Sequence, residues 1–516
     1  MIIDRDLRDR ARQSHSKDSK RSRLSGGIAF AVVATLSMGG ALSAMSSADA
    51  RGTPDGFADL ADRVTPAVVN ISTVQTISPV SDNSPGGTPQ SPFPPGSPFN
   101  EFFKRFFDQQ QPGFRGPQGR NGQSPERRGA GSGFIIDPSG YVVTNNHVAG
   151  DATEIEVTMT DGTTYPAELI GRDEKTDLAV LKIEAPRSLP FVPWGNSDET
   201  RVGDWVMAVG NPFGLGGTVT AGIVSARNRD INSGPYDDYL QVDASINRGN
   251  SGGPLFNMEG EVVGINTAIY SPTGGSVGIG FSIPANLAQS VVKQLQETGS
   301  VERGWLGVQI QQVTDEIADS IGLDSARGAL VVSVQPDGPA KDAGFQAGDV
   351  ITTFNGQDVE EMRDLPRIVA DTKAGSRVKV DVFRDGRNRV IDVTIRPLPG
   401  TITASLSNEE RQSSNSNEEE LALGITVQAL TDEAREDLGL SSDSGGVVIS
   451  EVVSNAARDA GLRRGDVITK AGRADITSTR DLRRAMDAAR DDGKSSILLL
   501  VTRGGNERFV AVPFES

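Results

Sequence analysis

The chain is 516 residues long, too long for a single core and of a length that suits roughly three domains. Its net charge of −17, from 51 Lys and Arg against 68 Asp and Glu, argues against nucleic acid as a partner, because phosphate recognition needs a basic surface. There is no cysteine, which removes disulfides, thiolate nucleophiles and Cys-ligated metals. With only His15 and His147 as histidines, no multi-histidine metal site fits the folded part, and no cofactor is expected.

The first 50 residues read as a targeting segment. A basic stretch from Arg5 to Arg23 precedes the apolar run GGIAFAVVATLSMGGALSAM, and Ala48-Asp49-Ala50 fits a small-residue cleavage site. The alternative is a retained membrane anchor, for which the glycines make the run a poor span. Export with cleavage near Ala50 discards His15 and leaves His147 as the only histidine of the mature protein, with no stable membrane span.

The segment FADLADRVTPAVVNISTVQ then ends in the alternation of a strand. Residues 78–131, rich in Pro, Gly, Gln and Ser, read as a long mobile loop. Inside it Phe99, Phe102, Phe103, Phe106 and Phe107 line one face of a short helix, suited to packing on its own domain or on another subunit. From Gly133 to Pro284, short β-like runs alternate with Gly, Asp-Gly and Asn-Pro turns: YVVTN, EIEVTMTDGTTYPAELIG, DLAVLKI, DWVMAVGNPFG, TVTAGIVSA and EVVGINTAIY. That pattern indicates a mostly β domain, a sandwich or barrel. PANLAQSVVKQLQETG follows as a helix with Gly299 at its C-cap.

The remainder is an internal repeat. Residues 306–352 align without gaps on 423–469 at a constant offset of 117, with AGFQAGDVIT and AGLRRGDVIT at the same place in each copy. A period this long means two copies of one domain. The expected plan is a signal peptide (1–50), a β-rich domain (51–298), a first repeat domain (301–398), a polar acidic linker (399–420) and a second repeat domain (421–516).

The chemistry concentrates in INRGNSGGPLF. A serine hydroxyl is a poor nucleophile until a base takes its proton and a third group orients the base. Ser251 sits among glycines, His147 follows the strand-like run of GYVVTNNHVAG and so sits at a strand end or turn, and Asp177 stands at the mouth of the apolar run LAVLKI, where a carboxylate needs a partner. Asp161 and Asp173 compete for the third place, but both stand in turn contexts where Asp is ordinary. The order His147, Asp177, Ser251 is that of the chymotrypsin-like double barrel. Gly249 and Asn250 precede the serine, and the amides of Gly249 and Ser251 are placed to converge as an oxyanion hole, each donor worth about 2.7–4 kcal/mol of barrier.

GSGFIIDPSGYVVTNNHVAG, TDLAVLKI, GNPFGL, INRGNSGGPL and GIGFSIP, followed by two PDZ-like repeats, resemble the HtrA family, its DegP-like two-PDZ members best. The resemblance covers nearly the whole chain after Ala50. It implies a chymotrypsin-like double β-barrel followed by two PDZ domains of α+β type. In function it implies an ATP-independent periplasmic serine endoprotease for misfolded proteins, with chaperone activity and assembly as a trimer or multiples of trimers. It also implies catalysis by His147, Asp177 and Ser251, and a sensor-loop role for Arg229 in SARNRD. In this fold the segment before the nucleophile lines the substrate pocket, here Ser245 and Ile246, with Ile279 opposite; no acid stands there, so small aliphatic residues are the expected preference. Asn250 stands where digestive relatives carry the Asp that binds a newly cut N-terminus, so zymogen cleavage is not expected. Trp305, Leu306, Gly307 and Val308 match a PDZ carboxylate loop that captures peptide C-termini, and Leu423, Gly424 and Ile425 match it in the second copy, where Ala422 replaces Trp305 and the domain either captures a ligand or serves only as an assembly surface. The rival function is a non-catalytic chaperone or scaffold on a protease fold.

Overall fold

In the computed structural model the described residues are 54, 56–76, 126–211, 217–247, 249–271, 275–399, 419–421, 423–431, 434–435, 438 and 445–514. The targeting segment, the phenylalanine-rich stretch and Ala422 lie outside them.

A helix α1 (Ala58–Val64) opens the β-rich domain and buries Leu60 and Val64, four residues apart on one face. The strand pattern of this segment begins only after a short turn carrying Pro66. The first closed barrel is built from β1 (Val68–Thr76), β2 (Glu126–Asp137), β3 (Tyr141–Thr144), β4 (Glu154–Thr158), β5 (Thr164–Asp173) and β6 (Leu178–Ile183), in the order β1-β2-β3-β6-β5-β4. A short helix α2 (Asn146–Ala149) follows β3. The second barrel is built from β7 (Trp205–Gly210), β8 (Thr218–Arg229), β9 (Tyr239–Val242), β10 (Pro254–Phe256), β11 (Val262–Ile269) and β12 (Gly280–Pro284), in the order β10-β11-β12-β9-β8-β7. Helix α3 (Ala285–Thr298) ends, as the sequence predicts, at Gly299 with φ +74°.

The loop expected over 78–131 is shorter at its end than predicted, because β2 already starts at Glu126 and pairs with β1 from Thr76↔Glu126 to Val68↔Phe134. Gly131 permits the approach: a Cβ there would lie 2.7 Å from Val148 and 3.3 Å from the Ser251 carbonyl.

Each barrel has its own interior, Ile71, Ile135 and Leu181 in the first and Leu240, Val242 and Leu255 in the second. The largest cluster joins them, packing Phe134, Val143 and Leu178 against Met207, Phe256 and Ile265, with Val291, Val292 and Leu295 of α3 closing it. Each such side chain contributes roughly 1.5–3 kcal/mol on burial. The seam between the barrels is therefore rigid, which suits a site assembled from both.

The first PDZ domain contains β13 (Gly304–Trp305), β14 (Val308–Gln312), α4 (Asp315–Ile321), β15 (Ala329–Val334), α5 (Pro339–Ala343), β16 (Val350–Phe354), β17 (Gln357–Asp358), α6 (Asp364–Asp371), β18 (Arg377–Arg384), β19 (Arg387–Thr394) and β20 (Arg396–Pro397). The second contains β21 (Glu419–Leu421), β22 (Ile425–Ala429), β23 (Val447–Val452), α7 (Asn455–Asp459), β24 (Val467–Ala471), β25 (Ala474–Asp475), α8 (Thr479–Asp491), β26 (Ser496–Arg503) and β27 (Asn506–Pro513). The linker expected to run to residue 420 thus ends earlier, because Glu419 and Glu420 already pair with β22.

The repeat is visible in buried chemistry. Asp349 of AGFQAGDVIT is fully buried and takes two 2.6 Å hydrogen bonds from Arg384; Asp466 of AGLRRGDVIT takes 2.5 and 2.6 Å bonds from Arg503. The two domains share a core of Val313, Ile317, Leu330 and Val332 with Leu498, Leu500 and Phe509. The Gln311 side chain closes the contact by bonding both backbone groups of Phe509 at 2.9 Å.

Candidate active site

His147 lies in α2 rather than at a strand end, where it is fixed by Asp177. Nδ1 of His147 is 2.7 Å from Oδ2 of Asp177, and because a carboxylate only accepts, the proton sits on Nδ1. The His147 amide donates to Oδ1 at 2.9 Å, and the Thr267 hydroxyl donates to Oδ2 at 2.7 Å. The Asp177 carbonyl in turn accepts from the Asn146 amide at 3.0 Å and from Asn145 Nδ2 at 2.9 Å. All this holds Asp177 at φ +57°, a left-handed conformation that costs a non-glycine residue about 1–2 kcal/mol. Such strain persists only where surrounding contacts over-determine it.

Ser251 comes from the second barrel, in the loop that runs into β10. Its carbonyl accepts from the Ser132 amide at 2.9 Å, tying it to the first barrel. The next residue, Gly252, has φ +83° and its amide donates to Asn266 at 2.8 Å, one residue from Thr267. A Cβ at Gly252 would collide with Ser132 O and Thr144 Oγ1 and come within 3.1 Å of the Asn145 amide. The loop carrying Ser251 and the segment carrying His147 thus pack backbone to backbone, and only glycine permits it.

Gly249 has φ +96°, and its carbonyl accepts from the Ser132 hydroxyl, which itself accepts from the Asn211 amide at 2.8 Å. Asn70 Nδ2 donates to the Asn211 carbonyl at 2.9 Å, so the support extends to β1. Asn250 is buried and its amide donates to Asn247 at 3.1 Å. Among the described residues, the amides of Gly249 and Ser251 enter no backbone hydrogen bond. Two donors are therefore available on either side of Asn250.

The residues expected to line the substrate pocket are not brought together. Ile246 is 2% exposed among Val242, Ala244 and Leu255, and a Cβ on Gly280 would lie 2.8 Å from it, whereas Ile279 is partly buried against the cluster that joins the two barrels. Ser245 is exposed, with its carbonyl bonded to Thr220 Oγ1 at 2.9 Å. Arg229 is exposed at the end of β8, and its Nε donates to Gln241 of its own barrel at 3.0 Å.

Sequence reasoning missed Ser132, Asn211 and Thr267, and it read Asp173 as an ordinary turn residue. Asp173 is buried at the end of β5 and takes two bonds from Arg303, at 2.8 and 2.6 Å, plus the Thr176 amide at 3.0 Å. The Arg303 guanidinium also lies 4.8 Å over the Tyr236 ring, a cation–π contact. A second ion pair, Arg367 to Asp238 at 2.6 Å, joins α6 to the second barrel. Burial pushes the Asp173 carboxyl up, but Arg303 and the Thr176 bonds overcome it and hold the group below the usual carboxylate range. A carboxylate lowered on folding adds stability that is present above its unfolded value, about 3.9, and is lost as pH falls through the folded value. Arg303→Met leaves Asp173 buried without a cation and is expected to cost about 3–5 kcal/mol at neutral pH. The expected readout is faster hydrogen exchange over residues 171–177 and 299–305, with the difference from the parent shrinking below pH 4; an unchanged exchange map at pH 7 counts against it.

Residues 131–265 match the trypsin-like peptidase domain family, and residues 304–395 and 422–513 each match the PDZ domain family. The chain is 45% identical over 507 residues to the probable periplasmic serine endoprotease DegP-like of Brucella suis biovar 1 (strain 1330), covering 95% of this chain and 96% of that protein. To the protein of the same name from Rhizobium meliloti (strain 1021) it is 45% identical over 474 residues, covering 89% and 91%. Among solved structures, the HtrA-type protease AlgW with decapeptide is 39% identical and superposes with a TM-score of 0.53 over 67% of this chain and all of that one. The form with tripeptide is 37% identical, with a TM-score of 0.54 over 67% and 98%. With a paired histidine and aspartate beside a glycine-held serine, a double barrel and two PDZ domains, the chain belongs to the DegP-like serine endoproteases of the HtrA family.

Proposed function

We propose that this endoprotease cleaves unfolded proteins in the periplasm by an acyl-enzyme mechanism run by Ser251, His147 and Asp177. The observation that carries it is the His147–Asp177 pair, whose carboxylate is fixed by three donors and leaves the imidazole with its proton on Nδ1. In that tautomer Nε2 is the basic nitrogen. It takes the Ser251 proton as Oγ attacks the scissile carbonyl, then delivers that proton to the departing amine. Water repeats the steps in reverse to free the acid. The amides of Gly249 and Ser251 receive the oxyanion, and no metal or ATP enters any step.

Apolar Ile246 in the segment before Ser251, where no acid stands, supports a preference for small aliphatic residues before the cut. A lysine ammonium would be stripped of water there with no carboxylate to receive it. Peptides cut after Val are expected to show kcat/KM on the order of 100-fold above otherwise identical peptides cut after Lys. Equal or faster cleavage after Lys, in peptides matched elsewhere, would overturn the pocket assignment.

The first PDZ domain supports capture of unfolded chains by their C-termini. Its carboxylate loop, Trp305 to Val308, begins two residues after Arg303, so the loop is tethered to Asp173 and Thr176 beside the catalytic aspartate. The sensor role of Arg229 belongs to the same reading, although the bonded contacts from its neighbourhood to the PDZ domain run through Tyr236 and Asp238. Trimeric assembly and chaperone activity complete the proposal on the strength of the family resemblance.

A further inference from the structure

The two PDZ domains differ at the one edge a peptide needs. A C-terminal peptide binds a PDZ domain by adding as an antiparallel strand beside the strand that follows the carboxylate loop, with its last side chain directed between that strand and the neighbouring helix. In the first domain that strand is β14, which ends its sheet: the order is β14-β15-β16-β18-β19, and among the described residues no strand pairs with the outer edge of β14. The residues before the loop are held elsewhere, Gly304 opposite Pro397 and Trp305 opposite Arg396.

In the second domain the equivalent strand is inside its sheet, in the order β21-β22-β23. Ile425, Thr426 and Val427 pair with Val452, Glu451 and Ile449 on one side. On the other side they pair with Leu421, Glu420 and Glu419, antiparallel and residue for residue. The last of these, Leu421, is 4% exposed in a cluster with Ile425, Val427 and, from α8, Leu482 and Met486. A buried apolar side chain at the end of an antiparallel strand on β22, in one cluster with β22 and α8, matches the place of a ligand's terminal residue.

The repeat explains why only one copy does this. At the offset of 117, Leu421 corresponds to Gly304. Gly304 has no side chain to insert, and a Cβ there would collide with the Val369 carbonyl at the end of α6.

We propose that Glu419–Leu421, the end of the acidic linker, is a built-in occupant of the second PDZ domain's peptide edge, so that this domain takes a C-terminus only when the strand is withdrawn. The inference rests on the reading that these domains capture C-termini. On this proposal the loop of Leu423, Gly424 and Ile425 leads into an edge that already has an occupant. The occupant is joined to β22 by three residues, so it rebinds at high effective concentration and an external peptide competes at a disadvantage set by the fraction of open edge.

The test uses the full chain carrying Ser251→Ala and a fluorescent decapeptide ending in Val-Leu-Leu with a free carboxylate. The parent is expected to bind one peptide per chain, with new protection from hydrogen exchange over 308–312 only. Leu421→Gly in the same background is expected to bind two, with 425–429 protected as well. Two peptides on the parent, or one on a Leu421→Gly protein whose exchange is unchanged outside β21 and β22, overturns the occupant. Absence of binding to either protein sinks the capture reading instead. In that case the ligand-free parent decides: amides of 425–427 exchanging at least tenfold more slowly than 308–310 support the occupant, and equal rates overturn it.

Discussion

Ser251→Ala is expected to lower the rate of casein hydrolysis by on the order of a millionfold, the cost of removing an activated serine from a complete triad. The substitution takes away one oxygen at a buried position and leaves the backbone of the loop alone. The Ser132 amide still reaches the residue-251 carbonyl, the Gly252 amide still reaches Asn266, and the Gly249 carbonyl keeps its bond from Ser132. Thermal midpoint and assembly size are therefore expected to stay where they are. Suppression of the aggregation of an unfolded client should survive in the same protein. Undiminished hydrolysis would overturn the assignment of the nucleophile, while loss of both hydrolysis and aggregation suppression would count against a chaperone activity separate from cleavage.

The histidine–aspartate pair and the glycine-held serine of the proposed triad could be picked out in the sequence for a reason of numbers and spacing. With His147 the one histidine after Ala50, the candidate base had no competitor, and Gly249, Gly252 and Gly253 marked a backbone that had to be crowded. What surrounds these three residues was not legible, because its members are local in space and remote along the chain. Ser132 lies 117 residues from the Gly249 carbonyl it holds, and Thr267 lies 90 residues from Asp177. A serine in a Gly-rich strand and a threonine in an apolar one carry no mark of those partners. Asp173 was misread for a related reason. Its turn bonds to Thr176 are real, but the cation that accounts for its burial is Arg303, 130 residues away in the neighbouring domain. Short strands and turn residues pointed to a β-rich domain and the 117-residue repeat to two copies of one domain, while the double barrel and the PDZ fold came from the family resemblance. The repeat alone could not tell that the copies use the strand before the carboxylate loop differently. That difference comes down to a leucine standing where the first copy has glycine.

Asp177→Asn is the substitution that isolates what the carboxylate does. Asparagine tolerates the left-handed backbone almost as well as aspartate, so the φ of +57° is not itself disturbed. Its carbonyl oxygen can still accept from the His147 amide. Its NH2 group then occupies the place of Oδ2, facing His147 Nδ1 and the Thr267 hydroxyl. The hydroxyl adapts by rotating and accepting. The imidazole adapts by becoming an acceptor at Nδ1, which moves its proton to Nε2, on the side of the ring that must receive the proton of Ser251. The fold is kept and the base is lost, so kcat is expected to fall by about 10⁴-fold with KM and thermal midpoint nearly unchanged. Asp177→Ala is a different experiment, because it adds the backbone cost of alanine at positive φ and leaves the Thr267 hydroxyl and the His147 amide without their buried acceptor. It should therefore lower the thermal midpoint as well as the rate. If the Asn protein keeps more than a tenth of the parent's kcat, the tautomer of His147 is not what Asp177 sets, and the three donors around its carboxylate serve the fold rather than the reaction.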